Sequence, residues 1–311
     1  MISIIIITKN AEEFILDCLN SLAKANGIKG SEILIVDANS TDSTKQVINE
    51  FSERHPKLVK LIKSQKAGYS TQRNLGLKKA KGKIALFISS DTTVDKRILN
   101  EFKKEEFQAS QGRIINVANN IFGLAKIKSL GFIYQKGLKN NIEQASTVNL
   151  AIKKTNYNFN EKIKACEDKE LFIRNNIKLS NNNGIVYHKL HENMGQFLSK
   201  VYKEAESLAI LGKKYPKIKN MFKWKLIFCS QTIGLVFIIL GVLNPLSYLF
   251  GILFLIAPLN YIPKLSKNFK KEVKNYNSYQ MAAFLVAQVF VILSFFSISL
   301  GTLKGYLSKR P

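Results

Sequence analysis

KIALFISSDTTVD, from Lys83 to Asp95, is the stretch on which the reading of this chain turns. Five apolar residues, Ile84 to Ile88, stop abruptly at Ser89, Ser90 and Asp91. A short apolar run suits a buried strand or a buried helix, but Gly82 before it and the Ser/Asp/Thr cluster after it favour the strand. Such a strand delivers a carboxylate to its C-terminal edge, where open α/β sheets bind ligands. A lone Asp at that place is more often a turn or helix cap than a catalytic group, so the neighbouring segments decide its meaning.

The segments on either side repeat one pattern. Ile2 to Thr8 reads as an apolar strand, and Ala11 to Lys24 follows with Phe14, Ile15, Cys18, Leu19, Leu22 and Ala23 on one helical face. Glu32 to Asp37 is a second strand, ending in the polar turn ANSTDS before a helix that carries Val47, Ile48 and Phe51 on one side. Leu58 to Ser64 reads as a third strand and Tyr69 to Ala80 as a third helix. Strands alternating with helices predict a mainly parallel sheet with right-handed crossovers. Two of its strands end in carboxylates, Asp37 and Asp91, which then face one crevice. One carboxylate can accept a ring N–H of a nucleobase. A second can hold a divalent metal that neutralises a diphosphate. Asp42, with Ser40 and Thr41, reads equally well as a cap for the following helix. Arg73 offers a cation to phosphate, or else occupies a solvated helix face.

In this order, ISIIIITKN at 2–10, VDANSTDST at 36–44, AGYSTQRNLGLKKAKG at 67–82, FISSDT at 87–92 and EDKELFIR at 167–174 resemble the family 2 glycosyltransferases of the GT-A fold. The resemblance spans residues 1–200. It implies a Rossmann-like domain with a mainly parallel mixed sheet that uses a nucleotide-sugar donor, UDP-sugar favoured and GDP-sugar possible, with Mn or Mg as cofactor. Thr8 and Asp37 map to the nucleotide-binding positions, and 89–91 to the Asp-x-Asp element that holds metal and diphosphate. Here that element reads Ser-Ser-Asp: Ser89 replaces the first acid and Asp91 keeps the usual metal contact. STVNLAIKK at 146–154 is similar to the strand that bears an Asn beside the donor sugar, which maps to Asn149.

Glu167 and Asp168 resemble the motif that supplies the catalytic base of inverting members, with Asp168 as the base. A sugar hydroxyl is a poor nucleophile at neutral pH, and a carboxylate that takes its proton contributes about 10²–10⁴-fold in rate. Without that resemblance the two are first-turn acids that favour the helix dipole. His188, in GIVYHKLHEN, maps to a position that meets the metal or the diphosphate; His191 reads as a neighbour. The Asn181 to Asn183 run reads as a loop.

Beyond residue 193 the composition changes. Residues 194–225 read as an amphipathic and basic juxtamembrane segment, with Phe197, Val201, Ala205, Leu208 and Ala209 on one side of a helix over Met194 to Leu211. Leu226 to Pro263 holds no charged residue. Apolar stretches at 226–243, 246–262 and 281–303 are expected to be transmembrane helices, followed by a basic tail at 304–311. Lys-rich flanks place the catalytic domain on the cytoplasmic side. A net charge of +25 then suits membrane lipids and a lipid-linked acceptor rather than nucleic acid. The N-terminal run lacks a basic region and a cleavage site and reads as a strand, not a signal peptide. Three widely spaced cysteines suggest neither disulfides nor a zinc site. Two other readings stay open. One is a polyprenyl-phosphate sugar synthase, whose ionised acceptor needs no base; the other is a non-catalytic membrane scaffold that retains the fold.

Overall fold

A computed structural model describes residues 1–103, 106–118, 123, 145–154, 156–190, 193–215, 297–298 and 300–308. The first 103 residues carry the expected alternation: β1 (Ile2–Thr8), α1 (Glu12–Ala23), β2 (Glu32–Asp37), α2 (Thr44–Arg54), β3 (Val59–Lys63), α3 (Tyr69–Lys79), β4 (Ile84–Ile88), β5 (Thr92–Val94) and the short α4 (Ile98–Glu101). β6 (Ala109–Ala118), β7 (Asn149–Lys153), α5 (Glu167–Asn175), β8 (Leu179–Leu190) and α6 (Met194–Lys214) follow.

Among the described residues one sheet holds the eight strands, in the order β3-β2-β1-β4-β7-β6-β8-β5. β3, β2, β1 and β4 run parallel, and β7 pairs antiparallel with β4 and with β6. The chain winds outward from β1 to β3 and then returns past β1 to lay down β4. β1 and β4 therefore flank the point where the winding reverses, and the crevice beyond their C-terminal ends is the usual place for a ligand.

Burial follows from near-continuous apolar strands with helices on both faces. Ile4, Ile6, Ile33, Ile35 and Leu86 share one core with Ile15, Leu19 and Leu22 of α1 and Ile48 and Phe51 of α2. Ile5, Leu34, Val36 and Phe87 point the other way, into a core with Leu77 of α3 and Leu171 and Phe172 of α5.

One sequence expectation needs correction. The Asn181 to Asn183 run is not a loop but part of β8. Its amides stabilise the strand: Asn182 Nδ2 donates to Ser110 Oγ at 2.7 Å, and Asn182 Oδ1 accepts from the Gly184 N–H at 2.7 Å. Such bonds offset the weak strand preference of asparagine. His188 lies further along the same strand. His191 lies outside the described residues.

Residues Met1–Val117 and Leu138–Lys189 form one unit; Ala118–Gly137 and Leu190–Pro311 form another. In the second, α6 opens on a capping box between Asn193 and Gln196 and continues past the expected Leu211 to Lys214. Its Ala205 and Ala209 sit against Gly301 and Gly305 of a helical stretch at 300–307. A methyl group on Gly301 would lie 2.2 Å from the Tyr202 carbonyl oxygen, so glycine permits this close approach. Lys304, in the expected tail, reaches Glu206 at 3.4 Å. The apolar segments 226–243 and 246–262, and 281–303 except residues 297–298 and 300–303, lie outside the described residues. Among the described residues no helix is long and apolar enough to cross a membrane.

Candidate active site

Thr8 and Asp37 end adjacent parallel strands in register, both buried. Asp37 Oδ1 accepts from Thr8 Oγ1 at 3.1 Å and from Ser40 Oγ, and Oδ2 accepts from the Ser40 N–H at 3.0 Å. Three donors leave this carboxylate one of its roughly four lone-pair sites, on Oδ2. Asp37 thus first ties the two strand-ends together and has a single acceptor direction to offer a ligand. Asp42 acts as a cap, accepting from the Thr44 N–H at 3.1 Å and the Glu12 N–H at 3.2 Å. Gln72 of α3, which the sequence reading passed over, donates to the Thr8 and Val36 carbonyls at 3.0 and 2.8 Å. It pins α3 to the same two strand-ends.

At the end of β4 the chain turns through Ser89, Ser90 and Asp91. The Ser89 carbonyl is the centre of that turn: it accepts from the Thr92 N–H at 3.3 Å, from Thr92 Oγ1 at 2.8 Å and from the thiol of Cys18 at 3.7 Å. α1 supports the turn a second time, because Ser21 Oγ accepts from the Val94 N–H at 3.1 Å. β8 pairs antiparallel with β5, His188 opposite Thr92. That register brings His188 Nε2 to 3.3 Å from Asp91 Oδ2, while His188 Nδ1 meets Asn116 Oδ1 at 3.0 Å.

The third group lies at the start of α5. Cys166 holds a left-handed backbone conformation (φ 60°) and turns the chain into the helix, so Glu167 and Asp168 open its first turn. Glu167 is buried and bonds Nη1 of Arg73, whose guanidinium lies 5.5 Å from the ring centres of both Tyr69 and Phe159. Burial pushes the Glu167 carboxyl above its ordinary range; Arg73 opposes this and the neighbouring Asp168 adds to it. Asp168 is half-buried, its Oδ1 accepting from the Lys169 N–H at 2.8 Å and its Oδ2 from the Thr147 N–H at 3.4 Å. The adjacent Val148 carbonyl accepts from the Ser89 N–H at 3.3 Å. Residues 147–148 therefore connect Asp168 to the Asp91 turn.

The expected residues thus fall into a strand-end pair, Thr8 and Asp37, a turn-and-strand pair, Asp91 and His188, and an acidic helix start, Glu167 and Asp168. Arg73 is placed against Glu167. Asn149 is buried, and its Nδ2 donates to the Arg113 and Gly184 carbonyls at 3.0 and 2.9 Å, so it fastens β7 to β6 and β8. Asn116 and Thr147 escaped the sequence reading. The β-branched run Ile114, Ile115 and Val117 was the available signal for the strand that carries Asn116.

Residues 3–158 match the family described as glycosyl transferase family 2. The chain belongs to that family. Among curated relatives of this family 2 chain is the poly(ribitol-phosphate) beta-N-acetylglucosaminyltransferase TarS of Staphylococcus aureus (strain Mu50), 35% identical over 100 residues. That match covers 32% of this chain and 18% of TarS, so the chain spans less than a fifth of that relative. Among solved structures, the mannosyltransferase PcManGT of Pyrobaculum calidifontis, in complex with GDP-Man and Mn2+, superposes with a TM-score of 0.57 at 13% identity, covering 97% of this chain and 86% of that one. S. aureus TarS 1-349 with UDP-GlcNAc superposes at 0.50 and 17% identity, covering 98% and 89%. The family 2 chain therefore has the GT-A type α/β fold with a mixed sheet.

Among the described residues no group of three or more His, Cys, Asp and Glu side chains could hold a metal ion. Asp91 and His188 supply one oxygen and one nitrogen 3.3 Å apart. Neighbouring corners of an octahedral shell with bonds of about 2.1 Å lie about 3 Å apart, so the pair fits two positions of such a shell. A small hard cation bound by few protein groups takes its remaining ligands from water and substrate phosphates.

Proposed function

We propose that this chain transfers a sugar, with inversion, from a nucleotide-diphosphate donor to an acceptor hydroxyl. A UDP-sugar is favoured and a GDP-sugar is the alternative. The observation that supports this reading is the link through residues 147–148, where Asp168 accepts from the Thr147 N–H and the Val148 carbonyl accepts from the Ser89 N–H at the turn that carries Asp91. Asp37 would accept from the nucleobase and Thr8 would line its pocket. Asp91 and His188 would hold Mn2+ or Mg2+ against the diphosphate, where the metal's charge stabilises the leaving group. Ser89 stands where the family motif carries its first acid, so the diphosphate would provide more of the metal's negative ligands. Asp168, the more accessible of the two helix-start acids, would take the proton of the acceptor hydroxyl. Glu167 would hold Arg73 beside the donor phosphates.

The acceptor is proposed to be lipid-linked and the chain an integral membrane protein with this domain on the cytoplasmic side. Support comes from the uncharged stretch Leu226 to Pro263 and its lysine-rich flanks.

The test is nucleotide release from UDP- and GDP-sugars by detergent-purified protein, with Mn2+ or Mg2+ and a membrane lipid extract, comparing wild type with Asp168→Asn. The variant should bind the donor normally and turn over about 10²–10⁴-fold more slowly. Undiminished turnover would remove Asp168 from the base role and point to an acceptor that is already ionised.

A further inference from the structure

We propose that Asn116 is a positioning residue for the cation site, acting through His188; this rests on the reading of Asp91 and His188 as metal ligands. β6 alternates along its second half, with Arg113, Ile115 and Val117 exposed and Ile114, Asn116 and Ala118 half-buried. That alternation turns the Asn116 side chain to the face on which His188 stands, and its Oδ1 lies 3.0 Å from His188 Nδ1. A carboxamide oxygen can only accept, so the contact is a hydrogen bond donated by Nδ1–H. Once the ring proton is held at Nδ1, the lone pair of the neutral imidazole resides on Nε2, the atom 3.3 Å from Asp91 Oδ2. Two lone pairs brought that close call for an electropositive centre between them, which is either a proton on Nε2 or the bound cation of the proposed site. Asn116 therefore selects the tautomer and fixes the ring plane, as hydrogen-bonded partners of metal-bound histidines do elsewhere. Ser89 leaves this turn with one carboxylate, so correct presentation of the imidazole weighs more heavily here than at a site with two.

The experiment measures Mn2+ affinity of the purified full-length protein in the presence of UDP by electron paramagnetic resonance. The spin-echo modulation from a directly bound imidazole nitrogen serves as the signature of His188. UDP binding in EDTA controls for folding. Asn116→Ala should weaken Mn2+ binding about 10- to 100-fold and diminish the nitrogen modulation, with metal-free UDP binding unchanged. Asn116→Asp, which still accepts from Nδ1–H, should restore both. In a His188→Ala background, Asn116→Ala should cost nothing further, because the two act as one unit.

Wild-type Mn2+ affinity in Asn116→Ala, with His188→Ala impaired, would overturn the positioning role while leaving the metal reading intact. An equal loss from Asn116→Ala in both backgrounds would overturn it as well, since the residue would then act without the imidazole. Normal Mn2+ binding by His188→Ala would overturn the metal reading and this inference with it.

Discussion

Arg73 and Glu167 form a buried ion pair, and its pH behaviour runs against the usual expectation for one. Burial, reinforced by Asp168, raises the Glu167 carboxyl despite the guanidinium beside it. The folded protein then holds this proton more tightly than the unfolded chain does. The associated stability is complete below the ordinary carboxylate range and is lost as pH rises through the raised folded value. Glu167→Gln mimics the protonated side chain at every pH. Thermal melts across that window should show the variant gaining on wild type as pH rises, whereas a pair whose attraction outweighed its desolvation would show the reverse. Residues of this kind separate into legible and illegible. Asp37 and Asp91 could be singled out because each follows closely on an apolar run, and His188 because the family resemblance maps onto it. Gln72, Asn116 and Thr147 could not. Each acts through a partner dozens of residues or more away, or one that only sheet pairing or the α5 start brings close, and nothing local in the sequence announces it.

Among elements, β6, β7 and β8 form the half of the sheet that was hardest to foresee. The parallel half is written in unbroken apolar runs, because helices cover both of its faces. The antiparallel half mixes Asn, Gly and Ser with its apolar positions, and it is held by side-chain bonds as well as by the ladder. Gly112 is the tightest point. A methyl group there would lie 2.2 Å from Asn149 Nδ2 and 2.6 Å from the Gly184 carbonyl oxygen, within the cluster that fastens β7 to its neighbours. Gly112→Ala should therefore destabilise the domain by about 1–3 kcal/mol, as overpacking does. Denaturant titration measures this, and a midpoint equal to wild type would show that Asn149 can move aside without loss. The amphipathic pattern of α6 was legible, but its buried partner was not. Ala205 and Ala209 read as an apolar stripe, whereas Gly301 and Gly305, which receive that stripe, lie almost a hundred residues further on.

For the whole molecule, the alternation of strands and helices was enough to foresee the parallel half of the sheet, β1 to β4, and a crevice at its strand ends, but not the order in which the strands lie. Composition alone gave the change of character after residue 193, and the apolar stretches behind it belong to the proposal of a membrane-bound enzyme. One feature near the centre of the first unit makes the crevice observable from behind. The thiol of Cys18 contacts the Ser89 carbonyl from the α1 side, and burial, with the charge of Asp91 next, pushes it up to about 12. At pH 8 it is neither ionised nor reachable, so a thiol reagent can attack it only while α1 and the turn are briefly parted. With Cys166 and Cys229 replaced by Ser, the rate of labelling becomes a clock for that parting. UDP with Mn2+ should slow the clock if the front of the turn grips them, and an unchanged rate would mean that the turn breathes without regard to its ligand.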